Sequence, residues 1–182
     1  MEDRVLELLR IRRSVRRYES RPVGRELRDL LVEAALRSPS SRGINPWRFA
    51  FVDDPQTIGA MSRCKAHGSA FLAGAPLAVA VFGAPEESDV WVEDCSIASI
   101  LMQLTAESLG LGSCWVQVRN RTTEDGGSAS EYLQRLLSAP KGLVAESVIA
   151  IGHPAETPPP HPAGSLEKHK VVFEGWNGGR RG

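Results

Sequence analysis

Apolar positions along the chain follow two rhythms, and the rhythm changes wherever Pro and Gly cluster. In residues 2–12, Val5, Leu6, Leu8 and Leu9 recur at mostly helical spacing; the chain then turns basic and meets Pro22, which stops a helix from running on. Residues 25–37 predict an amphipathic helix. Leu27, Leu30, Leu31, Ala34 and Ala35 form its apolar stripe, and Arg28, Asp29 and Glu33 lie off it. Trp47 to Val52 is aromatic and β-branched enough for a strand, and a short helix is predicted over 55–64 with Pro55 in its first turn. Leu77 to Phe82 is an unbroken apolar run, the pattern of a strand covered on both faces. Residues 91–109 spread Ile97, Ala98, Ile100, Leu101, Met102, Leu104 and Ala106 around most of a helix, which predicts a central position. Glu93 and Asp94 suit the N-terminal end of that helix, and Gly110 suits its stop. A strand over 114–118, a helix near 130–138 and a strand over 147–151 follow, closed by Gly152-His153-Pro154.

These elements make one domain over residues 1–155. Residues 156–182 form an extended tail opened by Pro158-Pro159-Pro160. Val171, Val172, Phe173 and Trp176 are an odd choice for a tail in water, so they are expected to dock on a partner subunit or on the chain's own body. The full 182 residues can bury roughly 70% of their unfolded surface, so folding needs neither disulfide nor metal. With 22 basic against 22 acidic residues there is no global field for gripping nucleic acid or an anionic membrane. No apolar run is long enough for a bilayer, and Glu2, Asp3 and Arg4 make the N-terminus unlike a signal peptide. The expectation is a soluble, cytoplasmic protein.

Among possible chemistries, most standard motifs are missing. His67, His153, His161 and His169 lack ligand spacing, so no metal is expected, and Cys95 and Cys114 sit inside apolar elements as packing residues. What stands out is Arg12, Arg13, Ser14, Arg16 and Arg17, whose guanidinium groups and hydroxyl match phosphate oxygens. A solvated segment paired with Glu19 and Glu26 reads the same residues as well. A nucleic-acid arm is the third reading, weakened by the neutral chain and the lack of interleaved aromatics. The stretch from Pro39 to Trp47 is stiffened by prolines at both ends. It reads either as a rigid loop presenting hydroxyls and amides to a flat polar ring, or as an ordinary connection anchored by Trp47.

Six pieces taken in order resemble the nitroreductase family of FMN-dependent oxidoreductases. They are Arg12-Arg13-Ser14-Val15-Arg16-Arg17-Tyr18, Pro39-Ser40-Ser41 through Asn45-Pro46-Trp47, and Val92-Glu93-Asp94-Cys95-Ser96-Ile97-Ala98. Gly110-Leu111-Gly112-Ser113-Cys114-Trp115, Ile149-Ala150-Ile151-Gly152-His153-Pro154 and the Lys168/Lys170 tail complete the set. The resemblance implies an α+β fold with a mostly antiparallel sheet flanked by helices. It also implies an intertwined homodimer whose C-terminal extension wraps the partner, with FMN at the interface. Arg12 and Ser14, beside Arg13, would then hold the phosphate and ribityl chain, and Arg16 would face the N1/O2 edge, where negative charge gathers on reduction. Pro39, Ser40 and Ser41 would come from the other subunit. Trp115, Val116 and Gln117 would run past the flavin, with Val116 and Gln117 at its N5/O4 edge, and Lys170, or else Lys168, would complete the phosphate site.

The implied activity passes hydride from NADH or NADPH through flavin N5 to a nitroaromatic, quinone or other conjugated acceptor in a ping-pong cycle, with no catalytic side chain. A flavoenzyme of different chemistry, such as a dehydrogenase, and a non-catalytic flavin-binding or regulatory dimer are the alternatives. The chain departs from the family at Gly43 and Asn45, where Asn and Gln are usual. It has no clear match for a flavin-facing Asn and Lys near His67, Gly68, Ser69 and Phe71, and it carries Trp115 in place of a smaller residue. It also lacks the lid insertion of flavin-dependent deiodinases.

Overall fold

The computed structural model describes residues 3–173, 175 and 176. Position 174 and positions 177–182 of the expected tail, and Glu2 of the expected first helix, lie outside the described residues. Helix α1 (Arg4–Ile11) starts where the Asp3 carboxylate accepts the Val5 and Leu6 N–H groups. None of its residues is buried in the single chain; Val5, Leu6, Leu9 and Ile11 stand exposed. Helix α2 (Arg25–Leu36) buries Leu31 and Ala35 from the predicted stripe and leaves Leu30 outside. Helix α3 (Pro55–Met61) is capped by Asp54 and ends short of residue 64. Its last turns tighten there, with the Ser62 hydroxyl donating to Gly59 O and the Arg63 N–H donating to Ala60 O.

Strands β1 (Trp47–Val52), β2 (Leu77–Gly83), β3 (Gly112–Gln117) and β4 (Val144–Gly152) form one sheet in the order β1-β2-β4-β3, antiparallel throughout. Every residue of β2 is buried, as its unbroken apolar run predicts. Alternation along β2 sends Val79 and Val81 toward the layer of α2 and α4 (Trp91–Ser108), while Ala78 and Ala80 face α3 and α5 (Ala129–Leu136). The sheet is thus covered on both sides. Helix α4 buries Cys95, Ala98, Met102 and Ala106 against it, and Ile97 and Ile100 point away.

Segment 12–18 crosses the sheet at its last rung, where Gly112 pairs with Gly152. A Cβ on Gly112 would meet Val15 at 2.8 Å, and one on Gly152 would meet Pro76 at 2.6 Å and Tyr18 at 3.0 Å. Only glycine lets the arm come this close. Beyond β4, the chain is extended with 3-10 turns at Ala163–Ser165 and Lys168–Lys170. Leu166, Val171, Phe173 and Trp176 are exposed, so in the single chain they do not dock on its own body.

Candidate functional site

The arm binds the sheet through main chain. Val15 N–H donates to Ser113 O at 2.9 Å, extending the outer edge of β3, and Ala155 N–H donates to Arg17 O. The Tyr18 hydroxyl donates to Val15 O, and burial pushes its ionisation far above the usual range. Glu156 then sorts the basic residues. Its carboxylate accepts Arg16 N–H at 2.7 Å, Arg17 N–H at 3.2 Å and Arg17 Nε at 2.9 Å, and these contacts hold it below the ordinary carboxylate range. Arg17 is therefore paired with Glu156, not with Glu19 or Glu26. Arg13 donates to Pro159 O in the tail. Arg12 and Arg16 make no ion pair among the described residues. Arg12 lies close enough to Glu107 to offset part of the burial that raises that carboxyl, and Arg16 stands 5.9 Å from the centre of the Phe71 ring.

The edge of β3 continues past the arm. Val118 N–H donates to Glu146 O at 3.1 Å, which makes residues two apart from it (Val116, Cys114, Gly112) the hydrogen-bonded partners of β4. Trp115 and Gln117 occupy the intervening rungs, so their main-chain N–H and C=O point outward along the free edge. The Gln117 side chain is clasped inward: Oε1 accepts Trp115 Nε1 at 3.0 Å and Nε2 donates to Arg119 O at 3.2 Å. Trp115 packs on the α4 side of the core, and the Val116 side chain is buried on the opposite face, so it is the main chain of this stretch that is presented.

Lys65 joins this edge and was not among the expected site residues. With Arg16 it lies near enough to Cys114 to counter the burial that raises that thiol, and its Nζ comes within 3.7 Å of the Cβ position of Gly68. The available signal was a single lysine just before the His67-Gly68-Ser69 turn; the hydrogen bond from Ala66 N–H to Thr122 O that brings this turn to the β3 end is not visible in sequence. Burial raises the Cys64 thiol as well and pushes Cys95 up to about 12, so all three cysteines are packing residues.

The loop between α2 and β1 holds Arg42, Gly43 and Asn45 in left-handed backbone conformations. Ser40 and Asn45 clasp each other: the Ser40 hydroxyl donates to Asn45 Oδ1 at 2.6 Å and accepts Asn45 N–H at 2.9 Å. Gly43 supplies one of the positive φ angles at no steric cost. Pro39 is exposed, and Ser41 N–H donates to Asp94 Oδ1. The tail lysines stand apart: Lys170 pairs with Glu167 at 2.6 Å, and Lys168 is exposed. Among the described residues no three His, Cys, Asp or Glu side chains come together as a metal would need, and no helix is long and apolar enough to cross a membrane.

A model of the nitroreductase family matches residues 9–64 and 55–153. A Methanothermobacter thermautotrophicus protein, named as a candidate NADH dehydrogenase/NAD(P)H nitroreductase, is 38% identical over 157 residues, 85% of this chain and 79% of its own. The structure of an FMN-dependent nitroreductase from Clostridium difficile superposes with a TM-score of 0.92 at 40% identity, covering 94% of this chain and 99% of that one. A candidate nitroreductase from Desulfovibrio desulfuricans, solved in complex with FMN, gives 0.73 at 28% identity, covering 97% and 99%. With the arm, the serine loop, the central helix and the strand edge all falling in the matched residues, the chain belongs to the nitroreductase family.

Proposed function

We propose that the protein is a homodimeric FMN-dependent oxidoreductase that uses NADH or NADPH to reduce a nitroaromatic, quinone or other conjugated acceptor. The observation that carries this reading is the gathering, near one open strand edge, of Ser14, Lys65, the outward Gln117 N–H and Arg16, which makes no ion pair among the described residues; Arg12 lies on the same arm, toward Glu107. That donor set fits a phosphate at one end and an electron-rich heteroaromatic edge at the other. When bound, FMN supplies the electron transfer, taking hydride at N5 and giving it up to the second substrate in a ping-pong cycle.

The chain's own part is binding and orientation. Arg12 and Ser14 hold the phosphate end, with Lys170 or Lys168 reaching it from the tail. Arg16 and Lys65 place positive charge where the ring gains negative charge, and Gln117 N–H fixes the N5/O4 edge. Water supplies protons. Pro39, Ser40, Ser41 and Asn45 close the site from the second subunit.

Two surfaces support the dimer. Val5, Leu6, Leu9 and Ile11 of α1 and Ile97 and Ile100 of α4 leave apolar area uncovered. Among the described residues strand β1 has an unpaired outer edge, beside a cavity of about 330 Å³ lined by Val32, Leu36, Trp47, Arg48, Phe49 and Phe51. The exposed Val171 and Phe173 of a second copy's tail suit that edge.

The test is a visible absorption spectrum of freshly purified protein, followed by anaerobic addition of NADH and then NADPH. A flavin spectrum that bleaches with either nucleotide is the expected result. A colourless protein that refuses added FMN overturns the reading, and bound flavin that stays oxidised with both overturns the nicotinamide step.

A further inference from the structure

Asp94 has a property that its position in the first turn of α4 does not account for. Acids near helix N-termini are favoured by the dipole while standing in water, yet Asp94 is 2% exposed. A buried carboxylate is costly unless its oxygens are engaged. Here Oδ1 accepts the Ser41 N–H at 2.9 Å, and Oδ2 is buried with no partner among the described residues. The cost is tolerated at the point where the central helix meets the serine loop.

That loop needs an external tether. Arg42 (φ 55°) and Asn45 (φ 54°) hold left-handed conformations that side chains disfavour, and such strain persists only where the surroundings fix it. The Ser40–Asn45 clasp lies within the loop and moves with it. The Arg42–Asp89 pair at 2.9 Å is solvent-exposed on both sides and constrains little. The far end is held by Pro46 O, which accepts Ala84 N–H, and by buried Trp47. At the near end Ser38 is buried, and beyond it the hydrogen bond that ties the loop to the buried body, among the described residues, is Asp94–Ser41.

We propose that Asp94 is a positioning residue that fixes Ser40 and Ser41 of its own subunit for the flavin of the other, so that α4 of one chain sets the cofactor affinity of its partner. The inference rests on the proposed function, in which the serine loop closes the second subunit's site. It goes further by assigning the affinity of each site to a carboxylate of the other subunit.

The test is FMN titration of the apo-dimer, read by flavin fluorescence, for Asp94→Ala and Asp94→Asn. Losing a charge-assisted bond predicts roughly 10- to 100-fold weaker FMN binding in D94A, whereas D94N retains an accepting oxygen and recovers most of the affinity. Ser41→Pro removes the same bond from its donor side. Ser41 opens a 3-10 turn and Ser40 before it is extended at φ −140° and ψ 157°, so proline fits the backbone. S41P is expected to bind FMN at least about tenfold more weakly than S41A, which keeps the N–H. This comparison decides the matter if D94A does not fold.

A mixed dimer then reports direction. One subunit carries D94A and the other carries Arg12→Ala with Arg16→Ala, and differently tagged chains are co-purified. One intact site forms if the loop acts across the interface, so FMN returns at half the wild-type stoichiometry while both parent homodimers lose it. D94A at wild-type affinity, or S41P equal to S41A, overturns the inference alone. A mixed dimer with no recovered site overturns its crossing of the interface. A wild-type chain that binds no FMN overturns the proposed function as well, and is read before any variant is made.

Discussion

Gly112→Ala perturbs the rung on which the arm rests. The added Cβ would stand 2.8 Å from Val15 Cβ and Cγ1 and 3.0 Å from Cγ2. Ordinary carbon contacts lie at about 3.5–4.0 Å, so Val15 must retreat by about 1 Å. Rotating the side chain gives no relief, because all three of its carbons face the intruding methyl. The residue is 5% exposed, and its N–H is bonded to Ser113 O, so the displacement passes into the main chain of the arm. Overpacking of this kind costs about 1–3 kcal/mol, and each kcal/mol shifts Tm by about 2–4 °C in a chain of this size, which predicts a loss of about 2–12 °C. Arg12, Ser14 and Arg16 move together, so FMN affinity should fall by roughly tenfold or more, because charge-assisted contacts are sensitive to such shifts. Thermal melts of the apo-protein and FMN titrations read the two effects separately. Gly59→Ala is the control. Gly59 lies inside α3 with nothing within 4 Å of its Cβ position, so helix propensity alone predicts a gain of up to about 1 kcal/mol. A Gly112→Ala protein with wild-type Tm and wild-type FMN affinity would refute the close-approach argument.

Replacing both Arg12 and Arg16 with Ala should weaken FMN retention by two contacts of about 1.5–3 kcal/mol each, read by titration; unchanged affinity would remove the arm from the phosphate site. Truncation after Pro160 should impair both dimerisation and flavin binding, measured by sedimentation and absorbance, and a stable flavin-loaded dimer without the tail would show the wrapping to be mistaken. Glu146→Gln should flatten the pH dependence of stability. Burial raises the Glu146 carboxyl above its ordinary range, against the pull of Ser147, Gln117 and Arg119, so the native state binds its proton more tightly than the unfolded chain. Its contribution is present in full below the unfolded carboxyl's ionisation and is lost as pH rises through the raised native value. Urea unfolding across a pH series checks this, and a Glu146→Gln curve parallel to wild type would contradict it.

Local pattern carried much of the architecture. The stripe over 25–37 became α2, the apolar run at 77 became a fully buried strand, and the wide apolar spread over 91–109 became the helix against which the sheet packs. Boundaries slipped where tertiary contacts set them. Gly112 and Ser113 look like loop after Gly110, yet they are strand because β4 and the arm pair with them on either side. The site was partly legible for the same reason: the arginine cluster and serine loop are contiguous, so their composition announces them. Which arginines remain available was not legible, because Glu156, 140 residues away from Arg16 along the chain, makes that selection. Lys65 was missed because only the fold carries it to the β3 edge. At the β3 edge the pattern was not legible in composition: period-two alternation buries the Val116 side chain and turns its main chain to β4, so the outward main chain belongs to Trp115 and Gln117.

The contacts of the arm also favour one order of events during folding. Ser14 pairs with Ser113, and Tyr18 with Pro154, across loops longer than any that separates two paired strands of the sheet, so these contacts cost more to close and are expected to follow the β3–β4 rung. The sheet and its two helical layers are then expected to be in place before the basic residues of the arm reach theirs. On that order, an FMN site built on the arm would be the last part of the fold to form, after the core and while the N-terminal segment is still free.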